Sequence, residues 1–230
     1  MRIIQKEAGK HHPVDGILGW GISSLVVAGF QGCAEKAGDP PNFVIIFTDD
    51  QGYNDLSCFG GTHVRTPRID QMASEGIRLT SFYVAAPLCS PSRAALMTGS
   101  YPKRIGMATG SRFVVLLSDD EWGLNPDEIT MAELLKSRGY ATGIFGKWHL
   151  GDQPPFLPTR QGFDEFFGLP YSHDIHPYHP RQGFFHFPPL PLYDGESIIE
   201  RDPDADYLTL RITQRAVRFI EQHKDEPFFL

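Results

Sequence analysis

Cysteine is scarce: 230 residues hold three, Cys33, Cys58 and Cys89. A small, odd number excludes a disulfide scaffold, and no paired CxxC marks a structural zinc site. Positive charge is also short, with 21 Lys and Arg against 28 Asp and Glu, a net charge of -7. That balance excludes nucleic acid as a natural partner and gives no long-range attraction to an anionic substrate. Any anion site must therefore be built locally. No apolar run reaches the about 20 residues that span a bilayer. The longest, residues 17–30, suits the core of a signal peptide instead. Internal repeats are absent as well.

Around that run the N-terminus reads as an address. Arg2, Lys6 and Lys10 precede it and Gly32-Cys33 follows it. The Gly-Cys junction is similar to a lipoprotein cleavage site, which makes Cys33 the candidate for a membrane lipid anchor. Residues 1–33 are read as a signal peptide or lipoprotein leader and 34–41 as a polar linker. The expected destination is periplasmic, extracellular or lipid-anchored. A chance apolar run in a disordered tail is the alternative.

From residue 42 onward strand and helix patterns alternate. Residues 43–47 are continuously apolar, as expected of a strand buried in a parallel sheet. Helices are predicted over 66–75, 90–98, 130–137 and 203–223, and strands over 79–84, 141–145 and 227–230. In the last helix Leu208, Ile212, Ala216, Phe219 and Ile220 form the apolar stripe. Residues 153–191, rich in Pro, Phe and His, show no period and read as a long irregular excursion lining a site. The pattern predicts an α/β fold, an α/β/α sandwich with a largely parallel sheet.

Two segments suggest chemistry on residue grounds alone. Asp49-Asp50-Gln51-Gly52 places two carboxylates after a strand, where ligands collect in open α/β sheets and where a hard cation finds oxygen ligands. A solvated acidic turn explains the same residues. Cys89-Ser90-Pro91-Ser92-Arg93 places a thiol at a helix start, with a guanidinium one turn on. That suits an anionic ester, and a buried structural cysteine remains the alternative. Lys147 and His149, two apart after a strand, would share one side of it. His173, His176, His179 and His186 lack the spacing of a helical metal motif, and Pro177 and Pro180 break any helix there. Cys58 reads as structural. Phe184, Phe185 and Phe187 shape a cleft or pack their own loop.

Taken in order, these segments resemble the type I sulfatase family. Cys89-x-Pro91-Ser92-Arg93 followed by Leu96-Met97-Thr98-Gly99 is similar to its signature. Pro41 through Gly52, Thr66-Pro67-Arg68-Ile69-Asp70 and Gly146-Lys147-Trp148-His149-Leu150-Gly151 agree with it. Gln161-Gly162-Phe163-Asp164 and Pro170-Tyr171-Ser172-His173-Asp174 resemble its arylsulfatase and cerebroside-sulfatase branch. The resemblance implies an alkaline-phosphatase-like fold and hydrolysis of sulfate esters. It implies that Cys89 becomes formylglycine through a formylglycine-generating enzyme. Asp49, Asp50 and residue 89 are then expected at Ca²⁺, with Mg²⁺ possible. Arg93 and Lys147 would stabilise sulfuryl charge, His149 would move a proton, and Ser172 would contact the substrate, a sulfated small molecule or glycan. Complete members carry further ligands and a leaving-group acid in a second half. Residues 42–230 are accordingly expected to be an incomplete, C-terminally truncated catalytic domain. A formylglycine-dependent phosphonate or phosphodiester hydrolase and an inactive sulfoglycan-binding fragment are the alternatives.

Overall fold

The structure, a computed structural model, describes residues 40–230. The leader and Cys33 lie outside the described residues. Among the described residues no helix is long and apolar enough to cross a membrane.

The described residues form five α-helices: α1 Pro67–Glu75, α2 Cys89–Thr98, α3 Met131–Lys136, α4 Gln182–Phe185 and α5 Ala205–Gln222. The strands are β1 Ala141–Lys147, β2 Glu165–Leu169, β3 Pro191–Asp194, β4 Ser197–Arg201 and β5 Phe228–Phe229. They form one sheet in the order β4-β3-β2-β1-β5. β1 runs parallel to both β2 and β5, while β3 and β4 are antiparallel. The sheet is thus mixed, and parallel only around β1.

Each face of β1 is covered. Phe145 meets Phe219 of α5, with ring centroids 5.6 Å apart. A Cβ on Gly143 would lie 2.9 Å from that Phe219 ring, so only glycine lets α5 settle there. On the other face Ile144 packs with Ala94 and Met97 of α2 and Ala132 of α3. Helices on both faces make the α/β/α sandwich expected from the sequence. At the start of α3, Thr130 accepts from the Glu133 N–H at 3.1 Å while Glu133 accepts from the Thr130 N–H at 2.8 Å. This reciprocal cap fixes the helix start.

Three expectations need correction. Residues 153–191 are not irregular throughout, because β2 runs through their middle with Phe166, Phe167 and Leu169 buried. Burial on both faces hides the two-residue period there, Phe166 facing one apolar cluster and Phe167 and Leu169 the other. Residues 79–84 form no strand, and Phe82 and Tyr83 stand exposed. Residues 43–47 bond to the β5 segment, with Ile45 donating to the Leu230 carbonyl at 2.7 Å, but their side chains are exposed and only Phe43 forms a bridge. A continuous apolar run reports a preference for burial on two faces. Whether a second layer covers it is a tertiary matter.

Candidate active site

The carboxyl ends of β1 and β2 hold the site together. Gly146 and Gly168 face each other across the two strands. A Cβ on Gly168 would sit 1.9 Å from the Gly146 carbonyl, so glycine there allows the strands their approach. Pairing continues past β1, with Trp148 donating to Leu169 and His149 to Pro170, both at 2.9 Å. This register places Lys147 beside Ser172, whose hydroxyl lies 3.2 Å from Nζ.

Cys89 is the first residue of α2, where unpaired N–H groups and the helix dipole favour negative charge. Arg93, one turn later, donates through Nη1 to the Lys147 carbonyl at 2.7 Å. Its Nη2 lies 3.7 Å from Asp49 Oδ2, the oxygen that also pairs with Lys147 Nζ. The Arg93 and Lys147 side chains are only 12% and 14% exposed. Burial lowers the Arg93 pKa, while Asp49 and Cys89 counter it. Burial pushes the Asp49 carboxyl up, but the hydrogen bond and charge of Lys147 outweigh that and hold it below its usual range. Arg93 also lies over the Phe47 ring, 5.4 Å from its centroid.

His149 is almost wholly buried, with a left-handed φ of 61°. Its Nε2 lies 2.7 Å from the Leu116 carbonyl. A carbonyl only accepts, so Nε2 carries the proton and Nδ1 keeps a lone pair. Burial first, then the charges of Lys147 and Arg93, pull the His149 pKa down to about 4. Among the described residues, neither the buried Nδ1 nor the buried Nε of Arg93 has a partner. One vacant acceptor and one vacant donor lie within the same charged group of residues.

Ser90 and the Leu116 backbone are parts that sequence reasoning missed. The buried Ser90 hydroxyl accepts the Leu116 N–H at 3.1 Å, and Leu116 in turn holds His149. Ser90 was visible inside the Cys89 motif, whereas a backbone carbonyl leaves no trace in side-chain identity. Asp174 is a further addition. Burial raises its carboxyl pKa, but the Ser172 hydroxyl outweighs that and keeps it low. Asp50 is exposed at φ 50°. His176 and His179 each accept a backbone N–H two residues on, from Tyr178 and Arg181, both at 3.0 Å. Those nitrogens therefore serve local turns.

Asp49 and Asp50 are oxygen donors of the kind a hard cation takes, but such an ion wants about six. Among the described residues no group of three or more His, Cys, Asp and Glu is placed to hold one. The described residues fit the ion in part.

Buried cations at the carboxyl edge of an α/β sheet, beside a helix-borne cysteine, define an anion-handling site. Comparison with known proteins gives the family. The Sulfatase family model matches residues 41–230, and the chain belongs to that family. It is 49% identical to human arylsulfatase A over 209 residues, covering 83% of this chain and 40% of that protein. Among solved structures, Ps i-CgsB in complex with k-i-k-neocarrahexaose aligns with TM-score 0.70 and 33% identity, over 83% of this chain and 44% of that one. BT4656 in complex with its substrate D-glucosamine-2-N,6-O-disulfate aligns with TM-score 0.59 and 31% identity, over 82% and 33%. The chain thus spans less than half the length of these relatives.

Proposed function

We propose that this chain provides the nucleophile-bearing part of a sulfuric ester hydrolase of arylsulfatase type. The observation that carries the reading is the convergence of Arg93 and Lys147, both largely buried, beside the helix that begins at Cys89. In a chain of net charge -7, burying two cations together has a use where an anion is to be held. A sulfuryl group would take hydrogen bonds from Arg93 Nε, which has no other partner among the described residues, from Lys147 Nζ and from the Ser172 hydroxyl. These groups are fixed before the substrate arrives, which is what stabilises developing charge most effectively.

The family relationship supports Cys89 as a formylglycine precursor, modified by a formylglycine-generating enzyme. A hydrated aldehyde at that position supplies a hydroxyl nucleophile together with a second hydroxyl for release of sulfate. Around it this chain's residues divide the work. His149, kept neutral by burial, offers the Nδ1 lone pair to a proton from a hydroxyl. Arg93 and Lys147 hold the sulfuryl oxygens. Asp49 and Asp50 would contribute carboxylate oxygens to Ca²⁺ or Mg²⁺, with residue 89 beside them, the remaining ligands coming from elsewhere in a full-length protein. The acid that protonates the departing alcohol is assigned to that remaining part too. Its absence should cost about 10²- to 10⁴-fold in rate. The substrate is a sulfated small molecule or glycan. An exported location, with the leader read at residues 1–33, belongs to the same proposal.

The test is turnover. Protein made together with a formylglycine-generating enzyme, from its full reading frame, should hydrolyse 4-nitrophenyl sulfate in preference to bis-nitrophenyl phosphate. Cys89→Ala should abolish it. A preference for the phosphodiester, or activity surviving Cys89→Ala, would replace this reading with another.

A further inference from the structure

Asp119, Asp120 and Glu121 form an acidic run whose outer two members are exposed, yet Asp120 is only 2% exposed. Burying a carboxylate costs free energy unless its oxygens are paired. Here they are. Oδ2 accepts from the Leu117 N–H at 2.8 Å. Oδ1 accepts from the Ser111 hydroxyl and lies 3.4 Å from Nε of Arg112.

The bond to Leu117 reaches the active site through the peptide group it belongs to. The Leu117 N–H and the Leu116 carbonyl are the two ends of one planar unit. That carbonyl is the partner of His149 Nε2, at 2.7 Å. A single rigid peptide therefore has Asp120 on its N–H side and His149 on its carbonyl side. A carboxylate that accepts the N–H polarises the unit and makes the carbonyl a stronger acceptor. The surrounding turn resists rotation of that peptide. Ser90 accepts the Leu116 N–H at 3.1 Å, Arg112 donates to the Ser118 carbonyl at 3.0 Å, and Asp152 accepts the Asp119 N–H at 3.0 Å.

We propose that Asp120 is a positioning residue, acting through the peptide between residues 116 and 117 to keep the His149 proton on Nε2 and the lone pair on Nδ1. The inference rests on the reading of His149 as the proton acceptor of a sulfate-ester site. Without the carboxylate the peptide is free to turn and its carbonyl to leave Nε2, so the buried ring can carry its proton on either nitrogen. The tautomer protonated at Nδ1 has no lone pair there to offer a hydroxyl. Arg93 and Lys147, which would hold the sulfuryl group, do not touch Asp120. Its loss should therefore slow the reaction and leave binding intact.

Nitrogen NMR and kinetics test this together. Protein from the full reading frame, with formylglycine at position 89 and isotope-labelled histidine, should show His149 protonated at Nε2 alone. The His149 signal is the one missing from His149→Gln. In Asp120→Ala the two ring nitrogens should share the proton. There kcat for 4-nitrophenyl sulfate should fall about 10- to 100-fold, part of what a placed proton acceptor is worth, with KM changed less than about 2-fold. Asp120→Asn, whose amide oxygen still accepts from Leu117, should restore both readouts. Phe219→Leu, in the buried core under α5, should lower the unfolding midpoint and move neither readout. Arg112→Ala, at a side chain 62% exposed and so safe for folding, should move both in the direction of Asp120→Ala by less. It carries the test alone where Asp120→Ala does not fold. An unchanged His149 tautomer in Asp120→Ala, or in Arg112→Ala where only that variant folds, would overturn the positioning role. A shifted tautomer with kcat unchanged would leave Asp120 in that role and remove His149 as the proton acceptor. If the wild type shows no turnover, the sulfate-ester reading fails and the tautomer by itself decides the role of Asp120.

Discussion

His149 shows how far a residue's identity and its state can diverge. Its position two residues after Lys147 is legible in the sequence, and so is its chemistry near neutral pH. Its proton is not legible, because Leu116 fixes the tautomer and burial sets the pKa near 4. The sign of the linkage follows. The folded pKa lies below the unfolded value near 6.5, so the unfolded state binds the extra proton. The stability tied to this group is complete above pH 6.5 and is lost as pH falls towards 4. Between pH 7.5 and 5 the loss should be about 2 kcal/mol. Urea unfolding at the two pH values should show it, and His149→Gln, which keeps a donor for Leu116, should show a shallower decline. Equal declines in both proteins would mean that the imidazole is not buried neutral. The rest of the charged site was largely readable. Asp49, Arg93, Lys147 and Ser172 lie together because Lys147 ends β1, Ser172 follows β2 and Arg93 sits one turn into α2 beside them.

Elements carry the site through two glycines. Gly146 opposite Gly168 lets β1 and β2 approach where Lys147 and Ser172 emerge. Gly168→Ala should force the strands apart and cost at least about 2 kcal/mol, in the range of overpacked cores. Gly183→Ala, where an added Cβ meets nothing within 4 Å, should change stability by less than about 0.5 kcal/mol. Thermal and urea unfolding of the two variants provide the comparison, and similar values would remove steric approach as the reason for glycine at 168. Helices were the easiest elements to read: α5 shows a clean stripe and α3 a capping box, both local signals. β2 was missed because burial on two faces erases alternation. The β3–β4 hairpin, residues 191–201, was missed because it falls between the irregular segment that ends at 191 and the helix read from 203. Residues 43–47 and 79–84 failed in the other direction, since strand-like composition cannot report whether a neighbour covers the strand.

At the scale of the whole molecule, exposed apolar surface is the feature with a physical consequence. Ile46 is 79% exposed, Ile77 88% and Phe82 74%. A cleft of about 650 Å³ between residues 44–49 and β1 adds further apolar lining and closes on Asp49, Arg93 and Lys147. Surface of this kind marks an interface or an association hazard. The 230-residue chain should bind a hydrophobic dye strongly and self-associate at micromolar concentration, as light scattering would record. A dye-silent monomer would show that these residues find cover within the chain itself. Arg93 and Lys147, by contrast, are buried together in an acidic molecule of net charge -7. The proposed chemistry turns on one residue, the cysteine at the start of α2. Peptide mass spectrometry of residue 89, on protein made together with a formylglycine-generating enzyme, tests the account most directly. An aldehyde at that position, captured by hydrazide and absent in Cys89→Ala, is the predicted result. An unmodified thiol in every molecule, under conditions that convert a control substrate of the same enzyme, would contradict it.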